Sequence, residues 1–165
     1  MRIIIDVNHY VLSRKEAIFL NPIVVYSSPT GLTQQIAETV VKALPDQTLC
    51  LSVEQVPQNI GEYDCVFLGF CMSHGVADDA SQQVFKKLRP GQHVGVFITV
   101  KEDLYSDDAS KGLHDVIELL PPGLHVDGTY ITSIEKYMVM TAEEHQEHMR
   151  FVSDFATNTY KRMQA

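Results

Sequence analysis

From Pro22 onward, short continuous apolar runs alternate with stretches in which apolar residues recur every three or four positions. Residues 23–26 are apolar throughout, which predicts a strand buried on both faces. Leu32, Ile36, Val40 and Leu44 then recur at helical spacing, and Pro45 stops that helix. Residues 48–53 predict a second strand, and 63–70 (YDCVFLGF) a third with Gly69 at its end. Val84, Phe85 and Leu88 give the next helix its apolar face, closed by Pro90-Gly91. A fourth strand is predicted over 93–100 (HVGVFITV), a helix over 108–120 and a fifth strand over 124–132. Thr141, with Glu144 three residues on, reads as a capping box that starts a long last helix.

Apolar strands separated by amphipathic helices predict an α/β fold: a doubly wound, five-stranded parallel sheet with helices on both faces. Such sheets bind ligands outside the carboxyl ends of their strands. The loops of interest are therefore 27–33, 70–78 and 99–107. The first residues do not follow the pattern. They read as an N-terminal extension over 1–21, ahead of one domain over 22–165.

Length and charge narrow the partners. A chain of 165 residues is long enough for one domain with a sizeable core. Its formal net charge of -8 argues against nucleic acid and allows a basic protein partner; the plainer use of that charge is solubility. Cys50, Cys65 and Cys71 match no zinc spacing, and an odd number suits a reducing compartment. With no apolar run of membrane-spanning length, a cytoplasmic protein is expected.

The loop Ser27-Ser28-Pro29-Thr30-Gly31-Leu32-Thr33 joins the first strand to the first helix. A helix start offers unpaired N–H donors and the positive end of the helix dipole, which suits a phosphate. Ser27, Ser28, Thr30 and Thr33 add hydroxyls, and Gly31 lets the backbone approach an anion. No lysine or arginine lies in the loop. The same residues also read as an ordinary helix cap.

Ser28 to Thr33, following a strand that ends in Tyr26, resembles the FMN-phosphate loop of flavodoxins, S/T-x-T-G-x-T. Residues 64–78, 94–99 and 128–130 resemble later segments of one flavodoxin-domain subfamily, in the same order. The resemblance implies a flavodoxin-like fold with FMN as cofactor. It places the phosphate on Ser27, Ser28, Pro29, Thr30, Gly31, Leu32 and Thr33. It places the ring against Phe70, Cys71, Met72 and His74 on one side and Thr99, Val100 and Lys101 on the other. Leu32 stands where flavodoxins often have asparagine, and Cys71 where the subfamily has tryptophan. Val100-Lys101-Glu102 follows Thr99 in place of a glycine, and Thr132 and Ile134 replace a cysteine and a glycine.

For several of these residues a plainer reading competes. Phe70 reads as core and His74 as a surface loop residue. Asp78, Asp79, Glu102, Asp103, Asp107 and Asp108 read either as an acidic docking rim or as solvated helix-start charges. Glu144, His145 and His148 have metal-ligand spacing but lack a fourth ligand, so a solvated helix face is expected. Cys71 reads as a small apolar filler. The function the resemblance implies is an electron carrier rather than a stand-alone enzyme, with no catalytic residues, serving a partner oxidoreductase with a basic face. The alternatives are a protein-binding module of the same fold without flavin, and a small FMN-dependent reductase.

Overall fold

The structure, a computed structural model, describes residues 20–73, 76–101, 111, 114–115, 117–118 and 120–165. Its parallel strands are β1 (Pro22–Tyr26), β2 (Leu49–Ser52), β3 (Cys65–Ser73), β5 (His93–Val100) and β6 (His125–Ser133), in the order β2-β1-β3-β5-β6. A short strand β4 (Val76–Ala77) turns back antiparallel on β3, with Met72 opposite Ala77. The helices are α1 (Leu32–Lys42), α2 (Asp79–Phe85), α3 (Ile134–Met138) and α4 (Ala142–Met163).

Side chains alternate across the strands, so each strand serves two cores. Val25, Leu68, Phe70, Val96 and Ile98 pack with Val84 and Phe85 of α2 on one face. Val24, Phe67 and Phe97 pack on the other face, with Ile36 and Val40 of α1 and Val152 and Phe155 of α4. Burying each of these large side chains is worth about 1.5–3 kcal/mol, which is what draws the helices onto both faces. Two glycines admit close neighbours. A Cβ at Gly69 would stand 1.9 Å from the Phe97 ring, and one at Gly128 would stand 2.2 Å from Thr159 Oγ1 of α4.

The parallel strands follow the predicted order, and the capping box at Thr141 and Glu144 is present. β3 runs three residues past the predicted end at Phe70. The hairpin through β4 and the helix α3 are additional to the sequence reading. The helix expected over 108–120 lies mostly outside the described residues, as does the N-terminal extension apart from Leu20 and Asn21. Leu20 packs against the α1/α4 core, and its carbonyl accepts from Tyr160. No helix among the described residues is long and apolar enough to cross a membrane.

Candidate functional site

The carboxyl end of β1 opens directly into the loop. Ser27 continues the strand direction, and its amide donates to the Gly69 carbonyl of β3 at 2.8 Å. The chain then bends so that Ser28 Oγ accepts from the Gln34 amide at 3.0 Å. Pro29 and Thr30 are exposed. Gly31 caps α1 at φ 85°, a backbone state that favours glycine, and offers no side-chain cap. The first backbone bond of the helix runs from Gln35 to the Gly31 carbonyl at 3.2 Å. The amides of Thr30, Gly31, Leu32 and Thr33 have no hydrogen-bond partner among the described residues.

That arrangement is compatible with both readings of the loop. Ser28 does cap the helix, but it serves only one amide. The others stand unpaired at the positive end of the dipole, where an anion is stabilised. A Cβ at Gly31 would meet nothing within 4 Å, so the turn is open at Gly31 itself, while Thr33 is wholly buried. The donor chemistry of this helix start suits an anion such as a phosphate. Leu32 contributes only its amide, because its side chain is buried with Ile36 and Val40. Thr33 is wholly buried, and its Oγ1 lies 2.7 Å from Thr99 Oγ1.

The residues expected around the ring divide differently. Phe70, Met72 and Val100 sit inside strands and turn their side chains into the α2 core. Phe70 meets Phe85 edge-on, with centroids 5.2 Å apart. Strand alternation commits all three side chains to packing in that core. Cys71 and Thr99 point to the opposite face, in register with each other and with Thr132. Cys71 is only 7% exposed and presents no surface for stacking. Thr99 is bonded to Thr33, which ties β5 to the phosphate loop instead of to the ring. Lys101 is exposed just beyond β5. His74 lies outside the described residues, as do Glu102, Asp103, Asp107 and Asp108. Asp78 caps α2, accepting from the Ser81 amide and hydroxyl at 2.9 Å each.

The histidine face of α4 is not solvated as expected. His148 is buried, with Nδ1 at 3.1 Å from Tyr130 Oη and Nε2 at 3.2 Å from Thr132 Oγ1. Burial first, and then the neighbouring His145, hold its pKa below the ordinary 6.5. His145 stacks on Tyr137 and reaches the Tyr137 carbonyl at 2.8 Å. Tyr137 in turn donates to Gln35 of α1 at 2.7 Å. Glu144 is engaged in the capping box. The three residues thus serve packing and capping, each with its own partners. The missed signal was spacing: His148 continues backward the stripe Val152, Phe155, Ala156, Thr159 and Met163 that α4 buries. The Cys65 thiol, buried beside Asp64 and Asp127, has its pKa pushed up to about 12, which makes it inert.

A doubly wound parallel sheet whose first strand opens into a helix start places the protein in the class of open α/β sheets that take ligands at the carboxyl ends of their strands. Comparison with known proteins makes this specific: the profile of the flavodoxin domain family matches residues 23–155. The chain belongs to that family. It is 24% identical over 115 residues to the flavodoxin-like domain-containing protein BilS of Clostridioides difficile; the match takes in 68% of this chain and 65% of that protein. Among solved structures it resembles a Streptococcus pneumoniae TIGR4 flavodoxin, with TM-score 0.61 and 20% identity, over 86% of this chain and 98% of the other. It also resembles a Fusobacterium nucleatum flavodoxin bound to flavin mononucleotide, with TM-score 0.59 and 14% identity, over 87% and 98%.

Proposed function

We propose that this protein binds FMN and carries electrons to a partner oxidoreductase. The observation that carries the reading is the group of amides at residues 30–33 without a hydrogen-bond partner among the described residues, at the start of α1, with no cation in the loop. Family membership and the FMN-bound neighbour support the same cofactor. Bound FMN would supply the electron transfer itself. The chain's part is to hold and orient it. Thr30, Gly31 and Leu32 offer amides to the phosphate, and Gly31 keeps the approach clear. Ser28 and Ser27 fix the loop to α1 and β3.

The partner we propose has a basic face, in keeping with the net charge of -8. Exposed charges are screened over roughly 8 Å at physiological ionic strength, so encounter with such a partner weakens as salt rises. The test is purification followed by visible absorbance, FMN reconstitution and reduction by a flavoprotein reductase at low and high salt. A yellow protein whose reduction slows with salt is the expected result. A protein that takes up no FMN fits the protein-binding module instead. Flavin turnover on a small substrate with no protein partner fits the reductase.

A further inference from the structure

Among the described residues the two most exposed large apolar side chains are chain neighbours, Met138 at 75% and Val139 at 82%. Single exposed apolar residues are ordinary, but an adjacent pair on a fixed backbone is not. The backbone here is fixed at both ends. Ser133 caps α3, accepting from the Lys136 amide at 3.3 Å, and the capping box of Thr141 and Glu144 starts α4. Between the caps, Ile134 and Tyr137 turn inward to the α1/α4 core, which leaves Met138 and Val139 on the outer side. Tyr137 also donates to Gln35 in the first turn of α1 at 2.7 Å. α3 follows β6 directly, so this corner stands at the carboxyl ends of the strands, the end where loop 27–33 opens. Val139 and Met140 border a shallow depression of about 260 Å³ together with Lys136 and Glu144.

We propose that the α3–α4 corner is the docking surface for the partner protein, whose contact face is apolar at its centre and basic around it. Charge selects this occupant. Glu135, Glu143, Glu144 and Glu147 are exposed on the two helices that flank the pair, and Lys136 is the one lysine or arginine from 134 to 147. A second copy meeting this corner about a twofold axis would set acid against acid and is disfavoured. A face with lysines or arginines around an apolar centre meets both the charge and the two side chains. Methionine suits such a contact because its flexible thioether adapts to the facing surface. The caps hold the corner before the partner arrives, so little ordering is needed on binding. This inference rests on the reading above of a carrier that serves a partner with a basic face, and adds where that partner sits.

The experiment reconstitutes the protein with FMN and follows its reduction by a flavodoxin reductase with a basic contact face, at low salt and at concentrations where encounter limits the rate. Wild type is compared with Met138→Gln/Val139→Gln, Glu135→Gln/Glu143→Gln and Leu49→Gln. The first should slow reduction about tenfold, with Tm and FMN affinity unchanged. The acid variant should slow it about threefold at low salt and flatten its salt dependence. Leu49 is exposed on the opposite edge strand β2, so its variant should match wild type. Wild-type rates in Met138→Gln/Val139→Gln, or equal slowing in Leu49→Gln, overturn this docking site and leave the carrier reading standing. Self-association of wild type that the same double variant abolishes, measured by sedimentation, assigns the corner to a second copy and overturns the proposal too. Should the double variant not fold, the two single variants carry the comparison. A wild type that takes up no FMN, or whose FMN the reductase does not reduce, removes the carrier reading and this proposal with it.

Discussion

At Gly31 the backbone sits at φ 85°, and no protein atom would meet a Cβ there. The cost of a side chain is therefore backbone strain plus obstruction of whatever the amides hold. For a β-branched residue the left-handed state costs about 1–2 kcal/mol. Gly31→Val should stay folded and lose FMN by roughly a hundredfold, the equivalent of about two hydrogen bonds to a charged group. Titration with FMN alongside a thermal melt checks this; unchanged FMN affinity would mean the amides do not hold the phosphate. Thr159 gives a contrasting case. It is wholly buried on α4, and its hydroxyl has no partner among the described residues. Thr159→Val removes an unsatisfied polar atom and should leave stability unchanged or raise it by about 1 kcal/mol. In a chain of this size that is roughly 2–4 °C in Tm. A loss beyond about 1 kcal/mol would show that the hydroxyl has a partner.

Among the elements, α4 carries the clearest pH dependence. His148 enters the fold with its pKa lowered by burial and by His145. The ring faces Tyr130 and Thr132 of β6 and Tyr137 of α3. The unfolded chain takes up a proton near 6.5, while the folded protein takes it up only at lower pH. The protein bound to fewer protons is then the folded one, so stability falls as pH drops below 6.5 toward the folded value and is unaffected above it. Thermal melts of wild type and His148→Gln at pH 7.5 and 5 test this. The variant should lose less stability on acidification, and equal losses would contradict the assignment. The sequence made α4 legible down to its capping box, since Thr141 and Glu144 are a local signal. It hid His148 because a polar residue at the start of a buried stripe looks the same as one on a wet face. The strands were legible from apolar runs. Their ends were not: Cys71 and Met72 continue β3 because β5 pairs with them, and that partner is 28 residues away along the register.

On the scale of the whole molecule, element order and sheet topology were readable from periodicity and from the short match at residues 28–33. The strand-to-helix turn at 27–33 was readable too, because it is built from consecutive residues. The placement of the side chains expected around the ring was not. It depends on which face of a strand each side chain takes, and alternation sends Phe70 and Met72 to the α2 core and Cys71 to the other side. Two contacts lock the first turn of α1 to the rest of the fold, Thr33 to β5 and Gln35 to α3. The turn that presents the amides is thus held from both sides before any ligand arrives, which lowers the ordering cost of binding. The measurement that most directly tests this account is the affinity of the apo-protein for FMN against riboflavin, by calorimetry at fixed salt and pH. The account predicts that FMN binds at least about a hundredfold more tightly, since the two ligands differ only in the phosphate. Equal affinity for the two flavins would contradict it.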